Sequence, residues 1–471
     1  MFQRHLLKDS DVEPLAQTVY GVLDKVGILC QNDEILRALA AAGARADSAS
    51  QRVTFPKKMQ EGFVEQLRKE NARTETSPQR KFSAPGLPGM GTQVAQFYYD
   101  FPAKQRRSGN KEDLIQLIRF GDSLHGDLGV GHCLLLTDVP PLLEPLEAAM
   151  LLAEYARKPH AAFAWNVCNV DYLIEMGEIL GIKNWFNWGA ICFAHPLRFD
   201  KDVADKFVRR AKEGAGVGLA AMPVAGVTAP VTLAGFIAVA SAEFLATWIS
   251  GRALNPKVPI SGSMWGGTMD MRTGEVSYCS FDAMFYAFAT VEFLRRWCGM
   301  DVPVGGGEYC DAKEPGLYAA LEKAYKAMTI AAFTGRHPGV GAGMLEEGKV
   351  LSPVQLLLER EITTGLQNYA RPIEMTAEAI ALETITDVGI GIDKNYLEAE
   401  HTLRHFRECL WLPQLMDRSG WRGFEQEKTM LANAQKKVDE LIARYRKPEV
   451  DPDKLTRMRK VVERARKELL K

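Results

Sequence analysis

"GVGLAAMPVAGVTAPVTLAGFIAVASAEFLATWISGRALNPKVPISGSM" (216–264) reads as a strand, a helix and the next strand. Its two ends, "GVGLAAMPV" (216–224) and "KVPISGSM" (257–264), are short apolar or glycine-rich runs without polar alternation. That is how strands of a buried parallel sheet read. Between them, "TLAGFIAVASAEFLATWISG" (232–251) is apolar over several helical turns and stops on glycine. A strand, a crossover helix and a second strand make the unit from which parallel α/β folds are built.

The unit recurs on both sides. Upstream strands are "GHCLLLTD" (131–138), "HAAFAW" (160–165) and "GAICFA" (189–194). Downstream, the helical "SFDAMFYAFATVEFLRRWCG" (280–299) is followed by "DVPVGGG" (301–307) and "GVGAGML" (339–345). Seven such strands spread over about 250 residues predict a (β/α)8 TIM barrel rather than an open doubly wound sheet. The eighth strand is less distinct, with "ITDVG" (385–389) one candidate.

The barrel is expected at 112–423. Residues 1–111 read as a mostly helical layer followed by a loop. There, "NDEILRALAAAG" starts on an Asn cap and ends on glycine, and another helix begins near Pro56. Residues 424–471 read as a C-terminal extension of two charged helices joined by "KPEVDPD".

Composition limits the function classes. Across 471 residues the formal net charge is −1, which steers the molecule toward neither nucleic acid nor anionic lipid. No stretch is expected to cross a membrane, and the N-terminus carries no signal-peptide core. The eight cysteines are scattered, with no CxxC pair, as in a cytoplasmic protein with reduced thiols.

In a barrel, chemistry sits at the carboxyl ends of the strands. Those positions hold Trp165, His195, Met264, Trp265, Glu308, Tyr309, Met344 and Glu346, a set rich in aromatic and methionine side chains and poor in charge. The loop "ISGSMWGGTMDMRTG" (260–274) has the glycines of a phosphate cradle but not its lysine. His132 and Cys133 are adjacent, so on a strand they face opposite ways and make no zinc pair. No GxSxG elbow is present for a serine nucleophile. What remains is an aromatic pocket with a carboxylate or two, suited to a quaternary ammonium group. Such a group has no N–H to donate and is held by aromatic faces and soft apolar contacts.

The motifs themselves carry a resemblance. "PVAGVTAPVTLAGFIAVASAEFLA" (223–246), "NPKVPISGSMWGGTMDMRTGEVSYCSFDAMF" (255–285), "CDAKEPGLYAALEKA" (310–324), "LSPVQLLLEREI" (351–362) and "HTLRHFRECLWLPQLMDRSGW" (401–421) resemble the trimethylamine methyltransferase family, in order over nearly the whole chain. The resemblance implies a β/α barrel that passes a methyl group to the cobalt(I) corrinoid of a separate cognate protein, with no metal of its own. The founding members contain pyrrolysine; this sequence has only standard residues. Members without pyrrolysine that have known activities use quaternary amines such as glycine betaine, proline betaine, carnitine or butyrobetaine. A quaternary amine leaves as a neutral tertiary amine and needs no acid. One departure is "CDAKEPG" (310–316), which ends in glycine where the family usually continues with a polar or acidic residue.

On this reading Trp165, Trp265 and Tyr309 cage the trimethylammonium, lined by Met264 and Met344. Glu308 or Glu346 adds charge stabilisation. His195, His401, Arg272 and the backbone N–H groups near Gly266 and Gly267 are candidate donors to a betaine carboxylate. The bland reading of Arg272 is a loop ion pair with Asp270, and that of His401 is helix packing. The expected partners are the corrinoid protein and a small quaternary amine, with no nucleic acid or membrane and with self-association left open. Two alternatives stand beside this: a zinc-dependent corrinoid methyltransferase for another donor, and a barrel that binds a betaine without demethylating it.

Overall fold

A computed structural model describes residues 5–72, 85–305, 307–335, 337–421, 423 and 425–471. Strand Val217–Ala221 pairs in parallel with Ile260–Met264 along its whole length, from Val217 opposite Ile260 to Ala221 opposite Met264. The crossover is helix Leu233–Leu254. By length and composition this helix could cross a membrane, which the sequence reading did not allow for; 78% of its apolar window is buried within the protein. It is the central core helix, with Phe236, Phe244, Leu245 and Trp248 all out of water.

The mixed α/β architecture extends from this unit in both directions. Met90 bridges Val130, Ala95 bridges Leu134, Val130 bridges Pro159, Ile191 bridges Leu219 and Met264 bridges Val304, all in parallel. Strand Ala162–Phe163 pairs in parallel with Phe186–Asn187. Each segment thus pairs with its successor in sequence. Most of these contacts are single bridges, and among the described residues the strands fall into small sheets of two to four rather than one closed hydrogen-bonded cylinder.

Three expectations are corrected. "ITDVG" is no strand: it lies in helix Leu382–Val388 and its C-terminal Gly389. Part of the loop expected before 112 instead carries the first segment of this parallel series, at Met90 and Ala95. Gly91, at φ +93°, lies so close to Gly131 that a Cβ there would stand 2.4 Å from the Gly131 carbonyl carbon. Finally, Met344–Leu345 pairs antiparallel with Val350–Leu351, because Glu346 and Glu347 both take left-handed backbone (φ +48° and +56°) and reverse the chain. In "DVPVGGG", Gly306 falls outside the described residues.

Helices flank this framework. Asp9–Lys25, Asp33–Ala41 and Lys57–Asn71 pack Leu15, Val19, Leu23, Ile35 and Leu39 into one core with Phe207, Phe244, Trp248 and Trp297. The Asn32 side chain caps Asp33–Ala41 by accepting from the N–H groups of Glu34 and Ile35. At the other end, Gln426–Arg444 and Pro452–Leu469 pack Val438, Leu441, Met458 and Val461 into a second core with Leu117, Leu146 and Leu173. Residues 371–421 are different: Val388 is the one buried side chain among them.

Candidate functional site

Tyr309 is the centre of a group of side chains that follow the ends of neighbouring segments. Trp265 leaves strand Ile260–Met264 and its ring centroid lies 4.9 Å from that of Tyr309. Tyr278, just past strand Val276–Ser277, stands 5.9 Å from Tyr309. Lys326, on helix Leu317–Thr334, puts Nζ 5.6 Å from the Tyr309 centroid. Two glycines make room for the rings: a Cβ on Gly305 would stand 2.1 Å from the Trp265 indole, and one on Gly348 would stand 2.1 Å from the Tyr309 ring.

The charged groups here are starved of water. Glu308 Oε2 is buried without a hydrogen-bond partner, and burial raises its carboxyl above the ordinary range while Lys326 and Lys323 pull it back. Both oxygens of Glu347 are likewise buried and without a partner. Burial, then the adjacent Asp311, push its carboxyl upward. Burial lowers the Lys326 ammonium, which the surrounding acids oppose; Nζ donates to the Tyr278 carbonyl at 2.8 Å. An aromatic wall beside buried carboxyls, whose neighbouring cation Lys326 is committed to a backbone carbonyl, is an arrangement that welcomes a further cation.

The other sequence candidates are placed as follows. Trp165 stacks on Phe163 at 5.4 Å and donates Nε1–H to Glu144, leaving the residue partly exposed. His195 is committed on both nitrogens: Met222 N–H donates to Nε2 at 3.0 Å, so Nδ1–H donates to Glu243 at 2.7 Å. Met264 and Met344 are buried in the core. Gly266 packs against Ala283 and Ala287, and Gly267 against the Tyr278 ring. Arg272 is 89% exposed and pairs with Asp270 in its own loop. Glu346 forms a two-pronged ion pair with Arg106, at 2.7 and 2.6 Å. His401 lies on helix Glu400–Cys409 in the exposed segment, against the Glu378 carbonyl and the His405 ring. Gly316, the departure in "CDAKEPG", caps helix Leu317–Thr334 at φ +153°.

Trp265 and Tyr309 are therefore brought together with Glu308, while Trp165, His195, Arg272 and His401 each have local arrangements of their own. Sequence reading missed Tyr278, Lys326 and Glu347. Glu347 had a signal, since it adjoins the strand end at 344–345. Tyr278 and Lys326 had none, because only the fold carries them to Tyr309.

Comparison with known proteins agrees with the motifs. The model of the family "Trimethylamine methyltransferase (MTTB)" matches residues 2–470. The chain belongs to the trimethylamine methyltransferase family. Within it, the chain is 23% identical to a glycine betaine methyltransferase from Desulfitobacterium hafniense over 95% of this chain and 94% of that one. It is 29% identical to a trimethylamine methyltransferase from Methanosarcina mazei over 58% of this chain and 55% of that one. A solved structure, the monomethylamine methyltransferase of Methanosarcina barkeri, aligns over 92% of each chain with 14% identity and a TM-score of 0.39.

Proposed function

We propose that this family member removes a methyl group from a quaternary amine of the betaine type and passes it to a corrinoid held by a partner protein. The observation that carries the reading is the wall of Trp265, Tyr309 and Tyr278, with the buried Glu308 carboxyl, unpartnered at Oε2, near enough to act on Tyr309. The full-length similarity to a glycine betaine methyltransferase supports the betaine class. When docked, the partner's corrinoid supplies a cobalt(I) nucleophile. The chain's own residues do the rest by binding, orienting and drying. The aromatic faces hold the trimethylammonium by cation–π attraction. Glu308 offsets its charge until the C–N bond breaks, and the bonding pair then departs on the neutral tertiary amine. No proton moves, so no general acid is needed. Fixing one N-methyl toward the mouth, away from water, is the main contribution to rate.

The residues at the mouth fit a docking partner. Met271, Phe281, Tyr318 and Leu321 are exposed apolar side chains that follow the same segment ends. A (β/α)8 barrel is our reading of the parallel contacts that run in order from Met90 to Val304. It is supported at the seam, where a Cβ on Gly339 would meet the Gly86 carbonyl oxygen at 2.5 Å. On that reading the barrel begins at 86, ahead of the boundary expected at 112. Eight free cysteines support a cytoplasmic setting.

The deciding experiment offers a panel of quaternary amines, with trimethylamine as contrast, to the enzyme, reduced cobalamin and candidate corrinoid proteins, and follows cobalt methylation by absorbance. Methylation with at least one quaternary amine is expected. Binding without methylation under every condition would instead favour a betaine-binding barrel. Trp265→Ala should raise the dissociation constant of the active amine about 5- to 30-fold, equivalent to ~1–2 kcal/mol of cation–π attraction; unchanged affinity removes Trp265 from the cage.

A further inference from the structure

We infer that Cys279, Asp311, Glu322 and Glu347 form a binding site for a divalent metal ion of the zinc class. One ligand atom from each of Cys279, Asp311 and Glu322 lies within 4.8 Å of the others, the span that a single ion bridges. Cys279 Sγ stands 3.6 Å from Glu322 Oε1. The three arrive from separate parts of the fold: the turn before helix Phe281–Cys298, the turn after Cys310, and helix Leu317–Thr334.

Each is held from behind. Ser277 Oγ donates to Asp311 Oδ2 at 2.8 Å, Ala312 N–H donates to Glu322 Oε2 at 3.0 Å, and Tyr325 O–H donates to the Cys279 carbonyl at 3.0 Å. Outer hydrogen bonds of this kind orient the ligands of a metal.

Glu347 is the independent observation. It is 9% exposed, and neither carboxylate oxygen has a hydrogen-bond partner. Its N–H donates to the Cys310 carbonyl at 2.8 Å, and its carboxyl lies against that of Asp311. Of the charged groups around the Cys279 thiol, Glu347 acts most strongly. Two acids side by side, the buried Glu347 and the half-buried Asp311, are costly unless a cation is shared between them, and an ion held with Cys279 and Glu322 would satisfy both. The cation that already acts here is Lys326, whose Nζ is committed to the Tyr278 carbonyl. One thiolate among carboxylate oxygens suits Zn2+ or Co2+ better than Mg2+ or Ca2+. Bound there, the ion would brace the Tyr278 side of the aromatic wall without touching the amine, as a positioning element. The inference does not depend on which methyl donor the enzyme uses.

The test takes the full chain, stripped with a chelator and then dialysed against Zn2+ or Co2+. We expect one ion per chain by elemental analysis, and a thiolate-to-cobalt charge-transfer band in the Co2+ form. Cys279→Ser should abolish the band, whereas Cys409→Ser, at an exposed thiol, should leave it. Glu322→Gln and Glu347→Gln should each weaken Zn2+ binding about tenfold or more. Sub-stoichiometric uptake overturns the inference. So does uptake unaffected by Cys279→Ser and Glu347→Gln, which would mean ions held adventitiously by other thiols. If Cys279→Ser fails to fold, the near-isosteric Glu347→Gln decides alone: unchanged affinity overturns the proposal. None of these readouts uses methyl transfer, so failure here is separate from failure of the amine reading.

Discussion

Glu308, Glu346 and Glu347 differ in chemistry through their surroundings alone. Glu346 finds Arg106, whereas Glu308 and Glu347 turn inward and find no donor for the oxygens they bury. A carboxyl raised by burial keeps its proton in the native state at pH values where the unfolded chain has lost it. The native state then binds more protons than the unfolded one between the two pKa values. Stability falls as pH rises through that window, from the ordinary value of about 4.3 upward, and the penalty persists above it. Glu308→Gln should flatten this part of the profile, as measured by denaturant unfolding at a series of pH values. An unchanged slope would mean Glu308 is not the group responsible. A bound quaternary ammonium favours the ionised carboxylate, so amine affinity should rise with pH over the same window in wild type and lose that rise in Glu308→Gln. Sequence reading named Trp265, Tyr309 and Glu308 because strand ends are legible from apolar runs, and the structure sets the first two side by side. It named Glu346, which the structure pairs with Arg106, and passed over the buried Glu347, because a left-handed pair at 346 and 347 re-aims both side chains and leaves no trace in residue type.

At the scale of elements, the strongly patterned ones were the legible ones. Helices Leu233–Leu254 and Phe281–Cys298 fall within three residues of their sequence-read ends, since long apolar runs closed by caps leave little choice. The segment through Met90 and Ala95 was read as loop because "PGMGTQVA" has no apolar run to mark it. Its pairing combines close backbone approach at Gly91 with burial of only two isolated side chains, Met90 and Ala95. Gly91→Ala tests this. The substitution meets both a left-handed φ and the Gly131 backbone, so it should destabilise the fold by at least ~2 kcal/mol. Gly89→Ala, where a Cβ has nothing within 4 Å, should change stability by less than ~0.5 kcal/mol. Equal thermal or denaturant midpoints for the two variants would show that the segment is not packed in this register.

At the scale of the molecule, residues 371–421 expose apolar side chains with almost no core of their own. Ile390 is 90%, Ile373 86% and Leu397 85% exposed, and Met375 and Ile392 are exposed beside them. Monomers rarely show contiguous apolar patches beyond a few hundred Å2, whereas a stable interface hides roughly 800 Å2 on each partner. A corrinoid protein of the kind proposed would be a poor cover for this surface, because a partner that comes and goes with each turnover would leave the segment bare between visits. A second copy of the chain would give permanent cover, and cover by self-association makes a checkable prediction. Ile390→Asp with Ile392→Asp should then lower the mass measured by light scattering without loss of helical circular dichroism, since neither side chain is buried within its own chain. A wild-type chain that runs as a monomer at micromolar concentration, or a double variant with unchanged mass, would refute the assignment. The exposed residues Met271, Phe281, Tyr318 and Leu321, proposed above as the mouth, lie on different elements, so methyl transfer to free cobalamin should survive in the variant even as the assembly comes apart.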